Sequence, residues 1–391
     1  MTTNQNVKKT KLRNAEYYSQ QDIFDNLYSK SKDGKIFDKL MTLIMAEDNI
    51  ILAYRNIKKN SGSETAGIDG KTIADLAIMD KDEFVRMIQN KLQWYTPKAV
   101  RRVEIPKQNG KMRPLGIPCI TDRIVQQCIL QVLEPICEAR FYQHSYGFRP
   151  NRSAENAISR AQNLMQLTKL HYVVDVDIKG FFDNVNHSKL IKQMWSMGIR
   201  DKKLLCIIKQ MLKAPIVMPT GEILTPDKGT PQGGILSPLL ANIVLNELDW
   251  WIASQWENFP AKNNYAVYEN RNGTLNKGHI YGALKKNSNL KEVYIVRYAD
   301  DFKLFTRTYQ EANRLYFSVV KWLDRRLKLE VSAEKSGVTN LKKSYTEFLG
   351  FELKVRPKSH KLVVTSKITE KAMIRMKKTA GKPDKKHSTS C

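Results

Sequence analysis

Cysteine is scarce in this chain, and its positions do not fit a disulfide framework or a zinc site. Five cysteines occur among 391 residues, and no two of them form a CxxC pair. None lies near a histidine at the spacing of zinc ligands. An odd number of scattered thiols is typical of a protein kept in its reduced form, so we expect a cytoplasmic location.

Long apolar runs are also missing. The most apolar stretch, 235–248, is too short to cross a bilayer and is interrupted by polar residues and a proline. The first residues, MTTNQNVKKTKLRN, carry positive charges with no apolar run behind them, so they do not predict a signal peptide. These absences argue against a membrane protein, and we expect a soluble chain.

Acidic residues are far fewer than basic ones. The chain has 39 Asp and Glu against 65 Lys and Arg, which gives a net charge of +26. Such an excess raises self-repulsion unless a polyanion offsets it, so nucleic acid is the expected partner. The alternative is a basic but otherwise ordinary soluble surface. A hydrophobic content of 42% predicts a globular protein, long enough for two or three domains.

The spacing of apolar residues predicts both helices and strands. Helices are predicted over 36–59 (one or two helices), 81–93, 122–140, 153–168, 237–254 and 311–328. Strands are predicted over 171–178 and 348–355, and hairpins over 100–118 and 293–308. The polar segment 257–290 is predicted to be an insertion loop, and a basic tail is predicted to start a helix near Ser366. The fold class that follows is α+β.

Two adjacent aspartates lie between two predicted strands, in the run Tyr298-Ala299-Asp300-Asp301. Neighbouring carboxylates at a hairpin turn repel one another and lose hydration, so a folded chain tolerates them best beside a countercharge. Asp177, which closes the strand-like run HYVVDVDI, supplies a third carboxylate. Such a set can hold two Mg²⁺ ions about 4 Å apart and support transfer of a nucleotide to a 3′-hydroxyl.

Two alternatives accompany this interpretation. Asp175 lies two residues before Asp177 and on the same strand face, so it is a competing ligand. Its deeper position in the strand favours a structural, hydrogen-bonded role instead. Aspartates at a hairpin turn are also common in ordinary solvated turns, so YADD alone does not decide the chemistry.

Seven segments of the chain follow one another in an order known from one enzyme family. They are IPKQNGKMRPLGIP, SYGFRPNRSAENAI, VDVDIKGFFDNV, GTPQGGILSPLLANIVLNELD, RYADDF, LKLEVSAEKS and FLGFEL. Together they resemble the fingers and palm segments of reverse transcriptases, most of all the group II intron-encoded enzymes, also called maturases. The resemblance covers about residues 36–356, and its order makes chance negligible. It implies a right-hand polymerase fold with an antiparallel palm sheet.

The resemblance also divides the chain into parts. It implies a basic N-terminal segment over 1–35, an N-terminal extension and fingers over 36–170, a palm over 171–356, and the start of a thumb or basic tail over 357–391. The extension and GIDG at 67–70 resemble intron enzymes and not retroviral ones. The chain stops where the family's thumb would begin, so we expect the thumb to be largely absent.

The family's motifs imply roles for individual residues. The implied metal ligands are Asp177, Asp300 and Asp301 together with the backbone carbonyl of Ile178. The implied nucleotide contacts are Lys107, Arg113, Phe181, Phe182, Gln232 and Lys335. The implied template and primer contacts are Arg149, Arg152 and Gly233. The resemblance implies that one of the two phenylalanines excludes the 2′-hydroxyl of a ribonucleotide, and Phe181 is preferred. Lys335 either protonates the leaving pyrophosphate or is a surface lysine.

Three neighbouring residues have simpler interpretations. Ser153 is predicted to cap the helix that follows it, and Asp183 is predicted to cap a helix after the two phenylalanines. His187 is predicted to be a packed or surface histidine, because no second metal ligand lies near it in the sequence.

The implied activity is RNA-directed DNA synthesis with two Mg²⁺ ions, or Mn²⁺ in their place. The implied partners are deoxynucleotides, an RNA/DNA template–primer and the intron RNA itself. One alternative is an RNA-binding splicing cofactor without polymerase activity, and another is a reverse transcriptase of retron, diversity-generating or CRISPR-associated type. Segment 36–70 argues against a retron, and the sequence leaves the oligomeric state open, a homodimer included.

Overall fold

A computed structural model describes residues 14–106, 112–270 and 275–380 of the chain. Its helices are α1 (Asn14–Tyr17), α2 (Gln21–Lys32), α3 (Leu40–Ile44), α4 (Glu47–Lys58), α5 (Ile73–Ala77), α6 (Lys81–Gln93), α7 (Ile120–Glu138), α8 (Ala154–Gln166), α9 (Phe181–Asn184), α10 (His187–Ser196), α11 (Lys202–Leu212), α12 (Ser237–Gln255), α13 (Gly278–Asn287), α14 (Tyr309–Trp322) and α15 (Glu370–Ala380). Its strands are β1 (Val100–Pro106), β2 (Met112–Ile117), β3 (Tyr172–Val176), β4 (Ile216–Val217), β5 (Ile223–Leu224), β6 (Tyr268–Glu269), β7 (Leu275–Asn276), β8 (Tyr294–Tyr298), β9 (Asp301–Thr306), β10 (Gly337–Asn340), β11 (Thr346–Phe348), β12 (Phe351–Lys358) and β13 (Lys361–Ile368).

These elements form two compact units. The first contains Met1–Phe141 and Gly180–Val244, and the second contains Tyr142–Lys179 and Leu245–Cys391. The combination of helices with mainly antiparallel sheets confirms the predicted α+β class. The four-part division of the chain stays a prediction. No helix in the described part of the chain is both long and apolar enough to cross a bilayer.

The first unit is built around α7. Its apolar positions repeat at helical spacing on more than one face, and Ile124, Cys128 and Val132 are almost completely buried. Helices α2, α4 and α6 pack around it. The sheet of this unit has the order β2-β1-β4-β5, in which β1 and β2 form the predicted antiparallel hairpin. Asn109 and Gly110, the residues predicted to form the turn, lie outside the described residues.

The second unit contains a four-stranded sheet in the order β10-β3-β9-β8, antiparallel throughout. Its central strands are rich in β-branched and aromatic residues, which suit a buried pleated surface, and Phe302 is fully buried. Helix α8 packs against β8, and α14 packs against β3. Both helices begin with a capping box, at Ser153 and at Thr308, so the predicted cap at Ser153 is confirmed.

The prediction of a loop over 257–290 is wrong. The segment contains the short hairpin β6–β7 and the helix α13. The many Gly, Asn and Lys residues conceal two apolar positions at helical spacing, Tyr281 and Leu284. Leu284 is buried, and the Tyr281 ring stacks on Trp256 with ring centroids 5.8 Å apart. Packing within the second unit therefore orders a segment whose composition is typical of a loop.

The C-terminal predictions are wrong in three details. The run 348–355 is not one strand, because Leu349 and Gly350 have φ angles of 53° and 86° and form the turn between β11 and β12. Strand β13 occupies 361–368, where no strand was predicted, and the helix α15 begins at Glu370 and not near Ser366. Strand β13 escaped prediction because half of its side chains are polar and none of them is buried.

Candidate active site

The two adjacent aspartates lie at the turn between β8 and β9. Tyr298 pairs with Asp301, so Ala299 and Asp300 form a two-residue hairpin loop. Loops of this length favour positive φ angles, and Ala299 has φ 58°. A left-handed conformation at a residue other than glycine costs about 1–3 kcal/mol and persists only where the surroundings enforce it. The carboxylates of Asp300 and Asp301 are therefore presented by a strained turn.

A buried ion pair stabilises this turn. Arg297 of β8 and Asp249 of α12 are 1% and 0% exposed, and the guanidinium donates to both carboxylate oxygens, at 2.8 and 2.6 Å. The Nη1 atom of Arg297 also donates to the carbonyl of Ala299, at 2.7 Å. Loss of one partner of a buried pair costs about 3–5 kcal/mol, so this contact fixes the turn firmly.

Sequence reasoning missed the pair of Arg297 and Asp249. A signal was present, because Arg297 is a single charge inside the apolar run YIVRY and Asp249 is an acidic residue inside the largely apolar run IVLNELDWW. Neither charge has a partner nearby in the sequence. Only the fold shows that the two charges meet.

The segment SYGFRP supports the same turn from another side. The backbone N–H of Tyr146 donates to the carbonyl of Arg297 at 2.8 Å, and the N–H of Arg297 donates to the carbonyl of His144 at 3.1 Å. Gly147 lies against the turn itself, and a Cβ atom there would overlap the backbone nitrogen of Ala299. The glycine of this motif is therefore required by close approach of two backbones.

Asp177 lies at the same end of the sheet as the turn. The last ladder pair between β3 and β9 joins Val176 to Phe302, so the next residue of each strand brings Asp177 opposite Asp301. The backbone N–H of Asp177 donates to Ser336 Oγ at 2.9 Å, and its carbonyl accepts from the N–H of Ser332 at 2.8 Å. The strand order thus brings together the three aspartates that the sequence singled out.

The backbone carbonyl of Ile178 lies on the side of its strand that faces β9. Ile178 forms an antiparallel bridge with Val331, and the flanking bonds are made by the carbonyl of Asp177 and the N–H of Lys179. Backbone hydrogen-bonding groups alternate between the two edges of an extended chain. The carbonyl of Ile178 therefore points away from Val331, toward the edge where β9 lies.

Asp175 is occupied by structural contacts. It forms an ion pair with Lys303, and Thr346 Oγ1 donates to its carboxylate at 3.1 Å. Thr339 Oγ1 makes a longer contact of 3.4 Å. These bonds confirm the structural, hydrogen-bonded role predicted for Asp175, and they leave Asp177 as the outer carboxylate of the strand.

At this end of the sheet, burial and neighbouring negative charges disfavour an ionised carboxylate that has no cation beside it. Burial raises the pKa of Asp301 to about 6; Lys303 opposes the rise, while Asp175, Asp300 and Asp177 add to it. Among the described residues, no three His, Cys, Asp or Glu side chains converge as a ready-made metal site. The available donor atoms are carboxylate and carbonyl oxygens, and they lie around an acid whose charge is poorly stabilised. Oxygen donors of this kind fit a hard divalent cation.

Among the described residues that were predicted to contact the nucleotide, Lys335 lies beside Asp177. Its ammonium is 3.5 Å from Asp177 Oδ2, and its side chain is 64% exposed. An exposed ammonium at that distance is only loosely held, so it remains accessible to an anionic ligand.

In the first unit, the loop 229–234 (GTPQGG) brings together three further predicted residues. Gln232 Oε1 accepts from Arg113 Nε at 3.3 Å, and its carbonyl accepts from the N–H of Gly116 at 2.6 Å. Gly233 has φ 108°, and a Cβ there would lie 2.7 Å from the carbonyl oxygen of Gly116. Arg113, Gln232 and Gly233 therefore meet on strand β2. Lys107 lies outside the described residues.

The helix α9 departs from the prediction at Asp183. Asp183 lies within α9, whose N-cap is Gly180, so the predicted capping role is wrong. Its carboxylate instead accepts a 3.3 Å hydrogen bond from Gln232 Nε2. His187 is buried, with Nε2 2.7 Å from the carbonyl of Gly229, which confirms the prediction of a packed histidine.

The two phenylalanines of α9 differ in exposure. Phe181 is 2% exposed, whereas Phe182 is half-buried, and the rings meet edge to face with centroids 5.4 Å apart. The carbonyl of Phe182 accepts from the N–H of Thr230 at 2.6 Å, which ties this helix to the glycine-rich loop. Of the two rings, that of Phe182 is the one open to a ligand.

Arg149 and Arg152 form hydrogen bonds with the backbone of residues 142–145, next to the turn. Arg149 is 7% exposed and donates to the carbonyls of Tyr142 and Ser145, each at 2.7 Å. Arg152 donates to the carbonyl of Gln143 at 2.8 Å. These bonds give both arginines a structural role, and the template contacts implied for them stay predictions.

A buried carboxylate lies next to that segment. Glu257 accepts hydrogen bonds from Tyr142 and from Arg160 Nη2, the latter at 3.4 Å, and lies 3.4 Å from His144. Burial tends to raise the pKa of Glu257, but His144, Arg160 and Tyr142 together lower it to about 2. Burial lowers the pKa of His144, although its hydrogen bond to Glu257 opposes that shift.

Comparison with known proteins identifies relatives over most of the chain. The model of the family described as reverse transcriptase (RNA-dependent DNA polymerase) matches residues 105–353. The chain is 34% identical to Protein YkfC of Escherichia coli over 328 residues, covering 81% of this chain and 82% of YkfC. It is 31% identical over 369 residues to the group II intron-encoded protein LtrA of Lactococcus lactis, covering 85% of this chain and 60% of LtrA.

A similar match extends to yeast. The chain is 26% identical over 369 residues to the putative COX1/OXI3 intron 2 protein of Saccharomyces cerevisiae, covering 89% of this chain and 42% of that protein. The chain thus spans less than two thirds of LtrA and of the yeast protein. The similarity to intron-encoded proteins confirms the resemblance read from the seven sequence segments.

Proposed function

The chain belongs to the reverse transcriptase (RNA-dependent DNA polymerase) family, and we propose that it copies RNA into DNA at Asp177, Asp300 and Asp301. The observation that carries this proposal is the arrangement of the turn. A strained hairpin, fixed by the buried Arg297–Asp249 pair, presents two carboxylates beside the end of β3. Structural strain and buried charge at one turn are typical of a functional site.

We assign the four-stranded sheet of the second unit to the palm of a right-hand polymerase, and the β1–β2 hairpin of the first unit to the fingers. The palm assignment is supported by the aspartates at one end of an antiparallel sheet. The fingers assignment is supported by an exposed, basic hairpin that contains Arg113.

Asp177, Asp300, Asp301 and the carbonyl of Ile178 are the groups that would hold the divalent cations. When bound, two such ions lower the pKa of a primer 3′-hydroxyl and offset the charge of a triphosphate. The 3′-hydroxyl would lose its proton to solvent and its oxygen would form a bond to the α-phosphorus. The bond from that phosphorus to the bridging oxygen would break, and pyrophosphate would leave. The carboxylates position the reactants, which is the main contribution of the protein in phosphoryl transfer.

Two cationic side chains complete this proposal. Lys335, exposed beside Asp177, is placed to donate a proton to the leaving pyrophosphate. Arg113 offers a planar guanidinium that suits phosphate oxygens. The substrates are deoxynucleoside triphosphates, and Phe182, the more exposed of the two phenylalanines, is our choice for the ring that excludes a 2′-hydroxyl.

The relatives also support a role with intron RNA. We propose that the chain binds such an RNA and assists its splicing, as expected of a protein similar to group II intron-encoded proteins. The net charge of +26 supplies the sequence-independent attraction that phosphate contacts require. An RNA-binding splicing cofactor without polymerase activity is the second candidate, and the intact pair Asp300-Asp301 favours the first.

Primer extension tests the proposed activity. The purified chain is given a DNA primer annealed to an RNA template, the four deoxynucleoside triphosphates and Mg²⁺ or Mn²⁺. We expect products that reach the end of the template, and loss of those products when EDTA is added. The variant Asp227→Asn, which changes an exposed aspartate of the first unit, serves as the control and should retain activity. No extension with either metal, or extension undiminished by EDTA, would contradict the proposal.

A further inference from the structure

Two tryptophans from different helices stack on the surface of the second unit. Trp251 of α12 and Trp322, the last residue of α14, have ring centroids 5.1 Å apart and an angle of 15° between their planes. Both side chains are half-buried, so each keeps part of its surface open to solvent. Phe317 of α14, one helical turn before Lys321, is 68% exposed. Large aromatic surface left open on a protein usually has a binding role.

Cations surround this aromatic pair. A groove of about 400 Å³ is lined by Trp251, Ser318, Lys321, Trp322, Arg325 and Arg326. Ser318, Lys321 and Arg325 recur at a helical spacing, so they follow one face of α14 and its continuation. Arg326 forms an ion pair with Glu247 of α12, which holds its guanidinium at the border of the groove. Lys321 and Arg325 are exposed.

The chain leaves α14 through an unusual turn. Leu323–Leu327 is π-helical and ends at Lys328, whose φ is 61°. Leu323 and Leu327 are buried and anchor this turn to the unit, while Arg325 between them is directed to the surface. Single π-helical turns are rare and occur frequently at functional sites. The turn thus places a cation beside the tryptophans on a fixed backbone.

The combination of stacked aromatics and cations is the chemistry of single-stranded nucleic acid recognition. Unpaired bases stack on aromatic rings while Lys and Arg contact the adjoining phosphates. A duplex offers no free base faces, and an apolar protein helix would leave Lys321 and Arg325 without an anionic partner. A second copy of a chain with net charge +26 would bring like charges together.

We propose that this groove, which we call the tryptophan groove, binds an unpaired segment of RNA in addition to the contacts made at the three aspartates. The choice of RNA over DNA as the ligand rests on the proposed function. One base stacks against the tryptophan pair, and Lys321 and Arg325 neutralise the phosphates on either side. Such a contact would hold template or intron RNA without taking part in nucleotide transfer.

Charge removal gives the first test. The double variant Lys321→Gln, Arg325→Gln removes two exposed cations and should preserve the fold. We expect its affinity for a short, unstructured, fluorescein-labelled RNA to fall by roughly fivefold or more in fluorescence anisotropy. The matched control, Lys202→Gln with Lys209→Gln, removes two exposed cations from α11 of the first unit. An effect no larger than that of the control would overturn the proposal.

The tryptophans are tested by substitution and by crosslinking. Trp322→Ala should weaken binding by roughly fivefold or more, whereas Trp94→Ala, at a ring that is 82% exposed in the first unit, should not. Trp322 is partly buried, so its substitution could also disturb folding. A crosslink formed on the unaltered protein tests the contact without that effect. RNA carrying 5-iodouridine, irradiated in the complex, should form adducts on peptides containing Trp251 or Trp322. Adducts confined to other peptides would overturn the proposal.

Two controls separate this proposal from the proposed function. Primer extension by the Lys321→Gln, Arg325→Gln variant at saturating template should match that of the unaltered chain. If the unaltered chain does not extend primers but still crosslinks through the tryptophans, the polymerase proposal fails and the groove stands. If sedimentation shows a dimer that Trp322→Ala dissociates, with RNA affinity unchanged, the groove belongs to a second copy and the proposal fails.

Discussion

Arg297 links the interior of the second unit to the turn that carries the aspartates. Its guanidinium donates both to Asp249 and to the carbonyl of Ala299. A lysine at this position keeps the charge but has a single donor group, so it cannot make both contacts in the same plane. The position of the turn then depends on whichever contact remains.

We therefore expect Arg297→Lys to lose catalytic rate while retaining the fold. The rate of primer extension should fall by roughly 10- to 100-fold, because small displacements of catalytic groups have effects of that size. The free energy of unfolding should fall by about 2 kcal/mol. Single-turnover extension and chemical denaturation measure the two quantities. Arg314→Lys, at an exposed position of α14, is the control, and equal rates for both variants would refute the role of Arg297.

The two phenylalanines of α9 should respond differently to truncation. Phe182→Ala should raise the incorporation of ribonucleotides relative to deoxynucleotides, because the half-buried ring is the one a nucleotide can reach. Phe181→Ala should mainly lower stability, by about 3–5 kcal/mol, since that ring is 2% exposed. Extension assays with each nucleotide type, together with denaturation, distinguish the two effects. An unchanged ribonucleotide ratio in Phe182→Ala would place the selecting group elsewhere.

Glu257 gives a pH-dependent contribution to stability. Its pKa in the folded chain is about 2, below the usual value of 4.5, so its stabilising effect is complete above pH 4.5 and is lost as pH falls toward 2. Glu257→Gln should therefore lower the free energy of unfolding by about 2 kcal/mol at pH 7. The difference between the two proteins should shrink below pH 4.5.

Denaturation curves at pH 7, 4.5 and 3.5 measure this difference. The variant Glu269→Gln, at an exposed position of β6, should show no comparable loss at any of these pH values. A difference between Glu257→Gln and the unaltered chain that stays constant with pH would show that the carboxylate charge is not what stabilises the cluster.

At the scale of residues, the sequence singled out the three aspartates but not the side chains that support their turn. Asp300 and Asp301 are adjacent, and neighbouring charges of the same sign are conspicuous in any sequence. Asp249 and Arg297 are 48 residues apart, and their pairing depends on how α12 packs against β8. The preference for Phe181 over Phe182 rested on motif position alone, and burial of the ring is a property that only the fold reveals.

At the scale of elements, Gly147 joins two segments that are far apart in the chain. It lies where a Cβ would overlap the backbone of Ala299, which cannot move without disturbing the adjacent aspartates. Gly147→Ala should therefore lower the free energy of unfolding by about 2 kcal/mol or more and abolish most primer extension.

Gly282→Ala provides the matched control. Gly282 lies within α13, and a Cβ there meets nothing within 4 Å, so alanine should leave stability unchanged or raise it by about 0.5–1 kcal/mol. Thermal or chemical denaturation and primer extension on both variants complete the comparison. A Gly147→Ala variant as stable and active as Gly282→Ala would contradict the close packing of SYGFRP on the turn.

Elements with strong periodicity could be predicted from the sequence, and weakly periodic ones could not. Helices α6 and α8 and the β8–β9 hairpin lie where the sequence pattern predicted them. Helix α13 and strand β13 have few buried side chains, so their order comes from contacts with the rest of the unit. Hairpin β11–β12 was read as one strand because the turn at Leu349 needs a positive φ angle that leucine does not signal.

At the scale of the whole molecule, charge and catalysis depend on different residues. The net charge of +26 is distributed over 65 basic side chains, whereas the proposed chemistry depends on three acidic ones. RNA affinity is a sum over many phosphate contacts, so the loss of one carboxylate should hardly change it. Nucleotide transfer requires each carboxylate in place, so the same loss should abolish it.

The most direct test of this account is primer extension by Asp300→Asn measured beside its RNA affinity. Asparagine matches the size of aspartate and removes the charge, so the turn should persist. We expect extension to fall by roughly a thousandfold or more, with the dissociation constant for the RNA template within a few-fold of that of the unaltered chain. Extension by Asp300→Asn at the rate of the unaltered chain would contradict the assignment of the catalytic site.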